Sequence, residues 1–131
     1  MLRIRIFSFS YLSSGIPEDE TSNGGGFVFD CRGIENPGRF PEYMAFTGKD
    51  EPVIRLLEND EEMKLFLKDI FEIVDLTIDK YLKREYTDLM ISFGCTGGLH
   101  RSVYSAERLK EHLEQKYNQS ITITLEHRDL I

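Results

Sequence analysis

ISFGCTGGLHRSVYSAERL, residues 91–109, joins an apolar run to a glycine-rich turn and then to a stretch with helical spacing. Residues 88–93, DLMISF, read as a strand buried on both faces. Beyond the turn, Val103, Ala106, Leu109, Leu113 and Tyr117 form one stripe of a helix ending near Asn118. A strand that feeds a helix through such a turn leaves the first helical N–H groups unpaired and adds the positive end of the helix dipole. Gly94, Gly97 and Gly98 permit close approach, Arg101 can fork two hydrogen bonds, and Thr96 and Ser102 add hydroxyls. The turn suits an anion, and phosphate above all. The plainer alternative is that the glycines only make the bend, while Arg101 meets a carboxylate elsewhere and Cys95 and His100 are packed residues.

Working outward, Leu2, Ile4 and Ile6 alternate with Arg3, Arg5, Phe7 and Phe9, the period of two expected of a strand over residues 2–11. Residues 13–26, SSGIPEDETSNGGG, have no periodic apolar face and predict a long, mobile loop, either a binding segment or plain disorder. FVFDC (27–31) is a short strand. Polar residues leave it in DCRGIENPGRFPEY, and ligands in open α/β sheets gather beyond the carboxyl ends of strands, which makes Asp30 and Arg32 candidates for a site. An ion pair that merely stabilises the turn is the competing reading.

TGKDEPVIRLLE (47–58) starts a short helix, with Asp50 as N-cap and Pro52 in its first turn. Asn59 and Glu62 have the spacing of a capping box ahead of a long helix, whose Leu67, Ile70, Phe71, Val74, Ile78, Tyr81 and Leu82 recur at helical intervals. ITITL (121–125) supplies the last strand. Strands and helices alternate through the second half, which predicts a single α/β domain over 1–131: a largely parallel or mixed sheet with helices packed on its faces.

Composition narrows the function classes. Of the 131 residues, 40% are hydrophobic and 30% charged, the range of an ordinary soluble domain, and no apolar run is long enough for a membrane helix. The start of the chain reads as a strand and not a signal peptide, so a cytoplasmic location is expected and no membrane partner. The net charge of −7 repels nucleic acid at long range, so a bound anion must be caught locally. Cys31 and Cys95 predict reduced thiols. His100, His112 and His127 are dispersed without metal-ligand spacing, so no metal or cofactor is expected, and His112 is placed toward solvent. The nucleotide loop G-x-x-x-x-G-K-[ST] does not occur.

FDCRGIENPGRF, TGKDEPV, FGCTGGLHRSVYSAERL and EHRDL, in that order, resemble the C-terminal domain of the RNase adapter protein RapZ family over nearly the whole chain. The resemblance implies an α/β module that senses glucosamine 6-phosphate, and hence a part in regulating amino-sugar metabolism. It implies a phosphate loop of Gly94, Cys95, Thr96, Gly97, Gly98, His100, Arg101 and Ser102, with Asp30, Arg32, Asn36, His127 and Arg128 lining the same pocket. It also implies RNA as a partner, against which the acidic charge weighs, and a place within a longer multidomain protein. Leu99 stands where relatives often carry lysine. A homo-oligomer is compatible with the resemblance.

The rival reading comes from another class. Cys95, five intervening residues and Arg101 reproduce the spacing of cysteine-dependent phosphatases, in which a thiolate attacks the phosphoryl group and Asp30 would serve as the acid. Gly94 occupies the place where such enzymes usually have histidine. A phosphate-ligand sensor that is not an enzyme is therefore the first expectation, a phosphatase the second, and an interaction domain using residues 13–26 the third.

Overall fold

The computed structural model describes residues 1–131, and the alternation at its start forms the strand Leu2–Ser10 (β1). Phe27–Asp30 (β2), Asp88–Cys95 (β3) and Ile121–His127 (β4) complete a sheet of order β2-β3-β1-β4 in which every pairing is parallel. The helices are Glu51–Glu58 (α1), Glu61–Lys83 (α2) and Arg101–Tyr117 (α3).

The order decides which face each connection covers. From β2 to β3 and from β3 to β4 the chain moves across the sheet in the same sense, so right-handed crossovers put α1, α2 and α3 on one face. From β1 to β2 it moves the other way, and that crossover belongs on the opposite face. The core agrees: Leu2, Ile4, Ile6, Leu89, Ile91 and Phe93 pack with Ile70, Val74 and Ile78 of α2 and Leu109 and Leu113 of α3. Helices thus pack on one face of the sheet and not on both.

The second face of β3 is buried by residues 13–26, which lie over Met90 and Ser92. That segment is not the free loop its composition predicts. Asp19 accepts from the N–H groups of Thr21, Asn23 and Gly25, and it pairs with Arg5 at 2.8 Å. Arg5 also forks onto Asp88, so the charged residue facing away from the helices becomes the anchor of the crossover.

Helix starts refine the sequence reading. Asp60, not Asn59, caps α2, its carboxylate accepting from the N–H groups of Glu62 and Met63. Asn59 instead donates to the carbonyl of Arg55. Asp50 stands at the N-cap of α1, but its side chain accepts from Thr47 and makes no cap bond. His112 is not a solvated residue. Its ring stacks on Phe71 with centroids 4.3 Å apart, and its Nε2 lies 3.0 Å from Asp75.

Candidate anion site at the β1/β3 switch point

Adjacent strands β1 and β3 send their following connections to opposite faces, and such a switch point opens a crevice beyond their carboxyl ends. The glycine-rich turn occupies that crevice. None of the backbone N–H groups from Thr96 through Val103 finds an acceptor within the chain, and the first helical bond of α3 runs from Tyr104 N–H to the His100 carbonyl at 3.0 Å. Eight consecutive donors therefore gather at the positive end of a 17-residue helix.

Neighbours fix the shape of the turn. Ser10 donates its hydroxyl to the Thr96 carbonyl at 2.6 Å, and Gly48 N–H donates to the Leu99 carbonyl at 2.8 Å. Gly98 has φ of +70°, and a Cβ there would lie 2.8 Å from Asp129 Oδ2, so both conformation and space require glycine. His100 is buried with Nε2 3.1 Å from the Tyr43 carbonyl, which can only accept, so Nε2 carries the proton.

Arg101 is 3% exposed and has no carboxylate partner. Its Nη1 donates to the carbonyls of Ile34 at 2.8 Å and Arg32 at 3.2 Å, while its Nε is buried without an acceptor. It therefore clamps the exit of β2 onto α3, and only part of its guanidinium is left for a ligand. Arg101 and Thr96 share a recess of about 330 Å³ with Arg32, Asn36, Arg39, Glu35 and Glu62. Asn36 Oδ1 accepts from Gly38 N–H and caps the one-turn helix Pro37–Arg39. Asp30 accepts from Arg32 through both oxygens, at 2.9 and 2.7 Å, and that guanidinium holds its carboxyl below the usual carboxylate range. Arg32 also lies 3.8 Å above the ring of Tyr11.

The remaining expected pocket residues lie elsewhere. His127 ends β4, which two strands separate from β2. It is held between Ser8 Oγ at 2.6 Å and Glu107 Oε2 at 2.7 Å. Arg128 pairs with Glu126. The structure thus joins Asp30, Arg32, Asn36, Thr96 and Arg101 around one end of the turn and leaves His127 and Arg128 outside that recess.

Cys95 is 2% exposed, with Sγ 3.1 Å from Ser102 Oγ. Ser102 is itself buried, so its hydroxyl serves the thiol and not the turn. An enclosed thiol and an ionised, arginine-paired Asp30 offer neither an accessible nucleophile nor a proton donor.

Sequence reasoning passed over Glu35, Glu62, Ser10 and Asp129. Glu62 was absorbed into a capping pattern, and nothing in its spacing brings the start of α2 beside the start of α3. Asp129 accepts from Ser10 N–H at 2.8 Å and Ser14 Oγ at 2.6 Å, bonding the end of β4 to the end of β1.

The run of unpaired N–H groups at the switch point of this parallel sheet marks a candidate anion site in an α/β domain. Residues 2–131 match the family model described as the RapZ C-terminal domain, and the chain belongs to that family. It is similar to a protein named "Nucleotide-binding protein" in Clostridium perfringens (strain SM101), 41% identical over 129 residues, which are 98% of this chain and 41% of that protein. Proteins of the same name in Thermotoga petrophila and Endomicrobium trichonymphae are 38% and 35% identical, over 97% and 99% of this chain and 42% of each. The chain thus spans about two-fifths of the length of the curated relatives it matches. Membership supports a regulatory or binding domain. No helix is long and apolar enough to cross a membrane.

Proposed function

We propose that the domain senses a phosphorylated amino sugar, glucosamine 6-phosphate, as the family resemblance implies, with the phosphate seated on the turn Gly94–Ser102. The run of unpartnered N–H groups from Thr96 to Val103 carries this reading. Backbone donors at a helix start bind phosphate through charge-assisted hydrogen bonds without a lysine, which accommodates Leu99. Arg101, its Nε buried and unpartnered, adds fixed positive charge. Asp30, Arg32 and Asn36 form the wall that the sugar hydroxyls meet.

Calorimetric titration with glucosamine 6-phosphate tests the proposal, with inorganic phosphate and glucosamine as controls. Gly97→Asp is the informative variant. A Cβ at Gly97 meets no atom within 4 Å, so the backbone there has room for a side chain, while the new carboxylate repels the anion. Saturable binding by the wild type that this variant loses supports the reading; equal affinity in both overturns it. The name of the relatives favours a second occupant, a nucleotide, whose phosphates would use the same turn. Displacement of glucosamine 6-phosphate by a nucleoside triphosphate at lower concentration would favour that occupant.

A further inference from the structure

The recess beside the turn is lined by two charged side chains, the buried Arg101 and the exposed Glu62, that form no ion pair within the protein. Its other charged groups are paired: Arg32 with Asp30 at 2.7 Å and Arg39 with Glu35 at 3.1 Å. Arg101 meets only backbone carbonyls. Glu62, in the first turn of α2, makes no side-chain hydrogen bond or ion pair, whereas its neighbour Glu61 pairs with Lys64. Arg101 and Glu62 line the same cavity without pairing with each other.

A free carboxylate on the rim of a phosphate site opposes any ligand that brings negative charge alone, since like charges disfavour each other at close range. A ligand with an ammonium group at the far end from its phosphate reverses the sign of that contact. The helix dipole gives Glu62 a structural role as well, but Glu61 in the same turn supplies that without facing the recess. We infer that Glu62 is the specificity-determining residue of this site: its carboxylate receives the ammonium group of an amino-sugar phosphate whose phosphate lies at Thr96 and Arg101. The recess then selects zwitterionic phosphate esters over neutral sugar phosphates and over inorganic phosphate. This inference rests on the proposed function and names the group that makes the amine count.

The test compares glucosamine 6-phosphate with glucose 6-phosphate, in which a hydroxyl replaces the ammonium group, by calorimetric titration of wild-type, Glu62→Gln and Glu61→Gln proteins. The wild type is expected to prefer the amine. Glu62→Gln should weaken glucosamine 6-phosphate about tenfold or more, leave glucose 6-phosphate unchanged or tighter, and bring the ratio of affinities near one. Glu61→Gln should keep the wild-type ratio, which separates selectivity from a general effect of charge at the α2 start. If Glu62→Gln keeps the wild-type preference, Glu62 is not the amine's partner and the inference falls while the sensor reading stands. If the wild type binds neither sugar phosphate, the sensor reading itself fails and takes this inference with it.

Discussion

Gly48→Ala probes how the turn is held through a residue that lies outside the donor run. Gly48 is buried against the start of α3, its N–H bonded to the Leu99 carbonyl at 2.8 Å. A methyl at this position would overlap the His100 carbonyl oxygen and the Tyr104 amide nitrogen and press on Val103 Cβ at 3.0 Å. The first two are backbone atoms and cannot swing aside, so residues 47–49 must retreat. Forced overpacking costs about 1–3 kcal/mol, and losing the Gly48–Leu99 bond adds about 1 kcal/mol, a total of about 2–4 kcal/mol. For a domain of this size each kcal/mol moves the melting temperature by about 3–5 °C, so a drop near 10 °C is expected. Thermal and urea melts followed by circular dichroism measure it, with Gly97→Ala as the matched control. That control has open space around it and should stay within about 0.5 kcal/mol of wild type. If Gly48→Ala melts within about 2 °C of the wild type, the contact between residues 47–49 and the turn is not tight, and the account of what shapes the anion site is wrong.

Other expectations concern charge and thiols. Arg5 holds the Asp88 carboxyl below its usual range, so the unfolded chain binds that proton at higher pH than the folded one. Stability from the pair is complete above the unfolded pKa of about 4 and is lost as pH falls through the lower folded value. Urea midpoints measured from pH 6 to pH 2 should therefore fall less steeply in Asp88→Asn than in wild type, and identical slopes would contradict the pairing. Cys31 is fully enclosed, and burial pushes its thiol up; Cys95 is 2% exposed. Iodoacetamide should label neither cysteine in the folded protein and both in urea. Rapid native labelling of Cys95 would mean that the turn opens and would return the thiolate chemistry to contention.

Periodicity carried most of the architecture. The alternation of Leu2, Ile4 and Ile6, the helical stripe of α3 and the apolar run of β3 each follow from the side chains that face the core, and each appears where the spacing predicts. The face assignment was not legible, because strand order is a property of long-range pairing. Only the order of β2, β3 and β4, with β3 between the other two, sends the helices to one side. Composition misled at residues 13–26, where glycine, proline and acidic residues announced mobility; Asp19 and Arg5 convert those polar groups into an internal bonding scheme. In the site, glycine spacing and the donor run could be read directly. The partners of Arg101 could not, since Arg32 and Ile34 are nearly seventy residues away in sequence and meet it through carbonyls, which every residue has. His127 shows the converse: its place in a recognisable motif says nothing of the two strands that separate it from β2.

The donor run of the turn has an evolutionary consequence. Main-chain N–H groups survive every substitution except proline, so the donor run itself is nearly immune to point mutation as long as the glycines and the segment 47–49 keep the turn in shape. The groups that would distinguish one anion's carrier from another, Glu62, Asn36 and Arg39, are side chains on other elements, and each can change without disturbing the turn. On the proposed reading, holding and choosing are thus inherited through different parts of the chain, which lets descendants of this domain acquire new ligands by altering the wall and retaining the floor.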